Sequence, residues 1–313
     1  MIIQYQETPL NSIDTSDKKQ VVTFDDSGLE ASFNYLRKPT GENLRMLASK
    51  PRNRLAYAHH SWSSFDTEVT IEEFWSAQLS KVSWNAELES DINAVKEHLL
   101  NQEETKWLSE VLRYLPRSHF FNTTVYLNMG YDNIVFGENV ALNLNFRQFS
   151  LDKREAIYYL IHELAHAGYL RYHRLPELWK VRTNAELLSV VKFLTHLEGM
   201  GVVSALRLRI REGGLLDNDY RVLLNNAERA KRVSHYFRLL DELESDLNGV
   251  NDSRFQIFEE MSGKETRLWY VTGCHMAQEI ESRLGRETLR KLVRQGSEEF
   301  FDTYLQLRDR PRS

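Results

Sequence analysis

The chain has 313 residues, 42% hydrophobic and 27% charged, which is the make-up of an ordinary soluble globular protein with one large domain or two smaller ones. A formal net charge of −5 and a pI near 6.1 exclude the basic excess of a general nucleic-acid binder. The one cysteine, Cys274, excludes an internal disulfide and a cysteine-built zinc cage, and it fits a reducing cytoplasm.

The N-terminus, Met1-Ile2-Ile3-Gln4-Tyr5-Gln6-Glu7, lacks a basic region followed by an apolar run, so no secretory leader is expected. Val21-Val22-Thr23-Phe24 reads as a short strand, and Asp25-Asp26-Ser27-Gly28 as a turn into a helix over about 29–38. From 70 to 115, Ile71, Phe74, Trp75 and Leu79, then Ile92, Val95, Leu99 and Leu100, recur at helical spacing. The texture changes at Thr123–Leu127, a β-branched and aromatic run. The turn Met129–Asn133 follows, then Ile134-Val135-Phe136 and the alternating stretch Val140–Phe146. This is the chain's convincing sheet. A long helix is expected from Asp152, with Glu155 closing a capping box. Beyond it helices are expected over 183–198, 217–246, 253–261, 269–284 and 286–306, with breaks at Gly213-Gly214, Gly249 and Gly285. The most apolar window, Leu187–Leu206, is interrupted by Lys192, His196 and Glu198, so it predicts a buried helix and no membrane span. The expected fold class is α+β and predominantly helical, with a small mixed sheet and a helical C-terminal half. The organisation expected is a mainly helical region over 1–115 and a catalytic region over 116–313, or one continuous domain.

The long helix carries His162-Glu163-Leu164-Ala165-His166. Four residues apart on a helix, the two imidazoles share a face and can grip one ion, and zinc suits such ligands. Glu163 stands beside them as a general base for an attacking water. The uncharged neighbours Ile161, Leu164, Ala165 and Ala167 suit a buried helix. The competing structural reading is two histidines hydrogen-bonded in a core or exposed on a surface.

A catalytic zinc takes three protein ligands, and three residues compete for the third place. His173 is one position too far for the extended motif in which the third histidine follows the first by ten. Glu186 stands early in the next helix, where its alternative role is an acidic charge facing the helix N-terminus. Glu198 is an acid inside an apolar stretch, and a buried carboxylate needs a strong partner such as a metal. Glu198 is the expected ligand and Glu186 the alternative. His59-His60 are adjacent, diverge, and read as surface or as a cleft wall.

A strand, a His-Glu-x-x-His helix and a later glutamate resemble the gluzincin metallopeptidases. Glu198-Gly199-Met200-Gly201 is similar to the Glu-Gly-Phe-Ala step of the leukotriene-hydrolase and alanyl-aminopeptidase group. Tyr270-Val271-Thr272-Gly273 resembles the Tyr-x-x-Gly of that group, whose tyrosine stabilises the oxyanion. Met276 to Tyr304 looks like the C-terminal helices of uncharacterised bacterial zinc-dependent peptidases. The resemblance implies a zincin-like catalytic core, Zn2+ held by His162, His166 and Glu198, Glu163 as base and Tyr270 as oxyanion donor. His275 is a second candidate for transition-state stabilisation. The implied activity is a zinc metallopeptidase acting on a peptide or protein, with no nucleic acid or membrane partner. No Gly-x-Met-Glu-Asn segment is present, so the resemblance does not extend to the clamp for a substrate's free amino terminus.

Two other readings compete. Glu163-Leu164-Ala165-His166 matches the Glu-x-x-His of di-iron carboxylate proteins, but no second copy occurs. A non-catalytic zinc or partner-binding helical protein is the other.

Overall fold

The computed structural model describes residues 20–64, 68–250, 254–263 and 265–309. The N-terminal stretch read for a leader lies outside these residues, as does the start of the helix expected from 253. The N-terminal part runs β1 (Val21–Asp25), α1 (Ser27–Arg37), α2 (Gly41–Ser49), α3 (Pro51–Ser64), α4 (Ile71–Leu79), α5 (Ala86–Leu100) and α6 (Glu104–Leu112). The sheet region adds β2 (Asn122–Asn128), β3 (Ile134–Phe136), β4 (Asn139–Asn143) and the short α7 (Arg147–Leu151). Then follow α8 (Glu155–Leu170), α9 (Asn184–Glu212), α10 (Asn218–Leu224) and α11 (Asn226–Glu244). The chain closes with α12 (Arg254–Ser262), α13 (Leu268–Leu284), α14 (Arg286–Gln295) and α15 (Ser297–Arg308). The fold is α+β and mostly helical, with one small mixed sheet.

The sheet order is β1-β2-β4-β3, parallel except for β3, which pairs antiparallel with β4. The sheet therefore draws one strand from the first stretch of the chain and three from the middle. Val140, Ala141 and Leu142 are consecutive yet fully buried, because both faces of β4 are covered. α8 packs on β3 and β4, while α1 and α3 pack on β2. The strand ends at Asn143, short of the expected Phe146. There the Asn143 carboxamide turns back to accept from Gly130 N (3.2 Å) and Asn145 N (3.1 Å).

The capping box expected at Asp152–Glu155 does not form. Arg154 occupies the cap position without a side-chain bond, and Glu155 is buried and turned towards Arg209. A capping box does form at Thr183, where Glu186 returns its carboxylate to the Thr183 backbone N–H (3.0 Å). The helix it opens does not stop at 198. It runs through Gly199 and Gly201 as a single element to Glu212 and ends at Gly213 with left-handed backbone (φ 72°), the conformation glycine adopts without strain. By length and composition α9 could cross a membrane, but 78% of its most apolar window is buried inside the fold, as in a core helix. The single helix expected over 217–246 is two, split at Asn225, whose side chain caps α11. The one expected over 286–306 is also two, split at Gly296 (φ 108°).

Candidate metal centre

α8 is buried over nearly its whole length because it lies between the sheet and α9. Glu155, His162 and Tyr169 stand seven residues apart on it, and two turns of helix return each to nearly the same stripe. The antiparallel α9 answers this stripe with Arg209, Glu198 and His196. Arg209 Nη1 donates to Glu155 Oε1 at 2.7 Å. Glu198 Oε2 lies 3.1 Å from His162 Nε2, and Tyr169 and His196 share a hydrogen bond of 3.1 Å. An ion pair, a histidine–carboxylate cluster and a neutral bond thus follow one another along the interface.

The middle rung has the shape of a metal site. His166, one turn after His162, places Nε2 3.3 Å from the same Glu198 oxygen. The donor atoms of His162, His166 and Glu198 all lie within 4.8 Å of one another. A tetrahedral zinc with bonds of about 2.0–2.1 Å separates its ligand atoms by about 3.4 Å, close to the two spacings found. His166 is buried, and its Nε2 has no hydrogen-bond partner among the described residues. An orphaned imidazole nitrogen aimed at a carboxylate oxygen is what a ligand set looks like before a cation joins it. Burial opposes charge on His166, but Glu198 and Glu163 outweigh it and push its pKa up to about 10. Burial likewise opposes charge on Glu198, and His166 and His162 overcome it, holding its pKa far below the carboxylate range. The pocket therefore attracts a positive charge strongly, and a metal ion can replace the proton. The donors present fit zinc.

Glycines make the approach possible. A Cβ on Gly201 would come within 2.7 Å of both imidazoles, so the bare backbone of α9 leaves the space they occupy. Two residues earlier on α9, Gly199 meets Gly273 where α9 crosses α13. A Cβ on Gly199 would sit 2.4 Å from the Gly273 backbone, and one on Gly273 would sit 2.1 Å from Thr195 O. Backbones in direct contact bring Tyr270, three residues before Gly273, to the wall of the same cleft as Glu198. The Glu-Gly and Tyr-x-x-Gly pieces are thus two halves of one helix crossing.

The family model described as "Putative zinc dependent peptidase (DUF5700)" matches residues 54–309. The chain belongs to this family. No curated protein and no solved structure matches it. In this zinc-dependent peptidase family member, the cleft over the His–His–Glu cluster has a volume of about 480 Å³. Its walls include Glu163, Tyr270 and Arg267, the apolar Ile134, Val135, Leu194 and Leu197, and His59 and Trp62 from α3. Trp62 donates to Pro176 O at 2.9 Å. Glu163 is buried, with Oε2 3.6 Å from His166 Nδ1. Burial pushes the Tyr270 hydroxyl well above its usual range, with Glu198 adding to the shift, so it stays protonated and can donate.

Several sequence candidates are placed elsewhere. Glu186, the alternative third ligand, is an exposed helix cap. His173 pairs with Val293 O at 2.7 Å. His275, five positions after Tyr270, falls on a different face of α13, where it lines a separate cavity beside Tyr304. His59 is a cleft wall, bonded to Tyr131 (3.0 Å). Burial, then Arg52 and His60, lower its pKa to about 4, which keeps it neutral. Sequence reasoning missed Arg267 and Asp219, which reach the cleft from loop and helix starts that carry no motif.

Proposed function

We propose that this chain is a gluzincin-like zinc peptidase, with His162, His166 and Glu198 as the metal ligands and Glu163 as the general base. The observation that carries the reading is the convergence of the three donor atoms at zinc-like spacing, with Glu163 beside them in one cleft. Family membership over residues 54–309 supports the same reading. The order of strand, His-Glu-x-x-His helix, glutamate helix and tyrosine helix supports a zincin-like core. When bound, zinc supplies Lewis-acid polarisation and a water of near-neutral acidity. Glu163 takes a proton from the attacking water and passes it to the leaving amine. Tyr270 donates its hydroxyl hydrogen to the carbonyl oxygen as negative charge develops there. The apolar lining from β3 and α9 excludes bulk water and strengthens each of these interactions. β3 is one of the two edge strands of the sheet, and Ile134 and Val135 line the cleft, so an extended peptide has backbone to pair with.

Glu163→Gln keeps the ligands and removes the base. It is expected to bind zinc like the wild type and to lose about 10²- to 10⁴-fold in peptide hydrolysis. Undiminished hydrolysis by Glu163→Gln overturns this mechanism, and absence of any hydrolysis by the zinc-loaded wild type overturns the activity.

A further inference from the structure

Arg267 stands apart from every other cation at the cleft. It is the one non-glycine residue with positive φ among those described (φ 49°), a backbone state that costs an L-residue energy and persists only where the surroundings impose it. The surroundings do so here. Arg232 donates to the carbonyls of Glu265 and Thr266, and Arg267 N–H donates to Gly263 O at 2.8 Å. The guanidinium carbon then lies over the Tyr270 ring, 3.4 Å from its centre, and Nη2 donates to the buried Asp219 at 2.9 Å. Arginine carries five N–H donors, and that bond is the one side-chain bond Arg267 makes among the described residues. Its side chain remains 24% exposed on the cleft wall.

Arg209, the other arginine on that wall, is different. Its side chain is 1% exposed and committed to Glu155, Asp217 and the Gly214 carbonyl. Of the acids, Asp217 faces Arg209 and Gln148, and Asp219 faces Arg267. The cleft thus offers one preorganised cation with donors to spare, stacked on the proposed oxyanion donor. Planar guanidinium donors match a carboxylate. A cleft of about 480 Å³ with this cation on its wall has room for a peptide's terminal residues.

We infer that Arg267 anchors the free α-carboxylate of the substrate, so that this hydrolase removes residues from the C-terminus of peptides. The inference rests on the peptidase reading above. Water's hydroxyl goes to the acyl carbon, the C–N bond breaks, and the proton goes to the released amine, so no other reactant is needed. Arg267 touches Tyr270, the proposed oxyanion donor, which places the anchored carboxylate near the bond being cut.

The test uses the zinc-loaded full chain and two peptides of the same sequence, one with a free C-terminus and one amidated. The free peptide is expected to be cut at least about tenfold faster in kcat/KM and to shorten from its C-terminal end. Equal cutting of both, or cleavage at internal bonds, overturns the inference and leaves the peptidase reading standing. A third peptide, amidated but ending in glutamate, separates a side-chain carboxylate from the chain end, and its cutting at the rate of the free peptide overturns the α-carboxylate assignment. Affinity gives a readout without turnover. Calorimetry with Glu163→Gln is expected to show the free peptide binding at least about tenfold more tightly than the amidated one, and equal affinities overturn the inference even if no peptide is cut. The double variant Arg267→Gln/Asp219→Asn removes both charges together, so neither is left buried alone, and thermal melting checks that it folds. In it the preference is expected to fall to about one, with Arg267→Lys intermediate. A preference that persists places the anchor elsewhere.

Discussion

Two rungs of the α8–α9 interface share a helix pair and an acidic residue, yet they do opposite things. Glu155 meets Arg209, whose positive charge is permanent, and the guanidinium lies 4.6 and 4.1 Å from the rings of Tyr158 and Tyr220. Glu198 meets two imidazoles, which carry positive charge only when protonated. A buried carboxylate is costly until a cation is supplied. At the first rung the chain supplies it covalently, and the result is structure. At the second the cation must come from solution, and the result is a site. The difference lies in the partner's protonation chemistry and in access, for the Glu198 and His162 side chains keep 16% and 13% of their surface open to the cleft while Glu155 and Arg209 keep almost none.

The comparison can be broken most severely at the second rung. Glu198→Ala is expected to weaken zinc binding by more than about a hundredfold, measured by metal analysis after dialysis. Glu186→Ala, at the helix cap, should retain zinc. The reverse result would exchange the roles of the two glutamates. At the first rung, Arg209→Met leaves Glu155 buried without its cation and is expected to cost about 3–5 kcal/mol in denaturant unfolding. Glu155→Gln/Arg209→Met should recover most of that loss. A single variant as stable as the wild type would show that the ion pair carries no structural weight. Tyr270→Phe sharpens the functional side, with zinc content unchanged and about 2–4 kcal/mol added to the barrier in kcat. A change within assay error would return Tyr270 to packing. The smallest expected effect is at Gly201→Ala, where crowding of both imidazoles costs about 1–3 kcal/mol of stability. Zinc affinity should fall with it, whereas simple overpacking away from the ligands would leave affinity intact.

The site was legible where chemistry and periodicity coincide. Two histidines one turn apart and an acid in an apolar helix are local patterns, and the fold places them together. The elements around them were legible as types more than as extents. The helix expected to 198 continues to Glu212, because contact with Gly273 suits Gly199 to mid-helix. Glu155 looked like a cap because its spacing from Asp152 is right, but a pairing with Arg209, 54 residues later, holds it instead. Arg267 left no trace, since its position depends on three separate contacts made by a loop.

The stripe on α8 and its partners on α9 also fix where this family can change length. Eleven residues separate Glu198 from Arg209, about three turns and about 16 Å of helix. Inserting one residue between them would turn one rung about 100° away from its partner while leaving the other engaged. No compensating slide exists, because the Gly199–Gly273 crossing pins α9 against α13. The segments 155–169 and 196–209 should therefore be free of insertions and deletions among relatives, while the connection from 171 to 183 can lengthen without disturbing either rung.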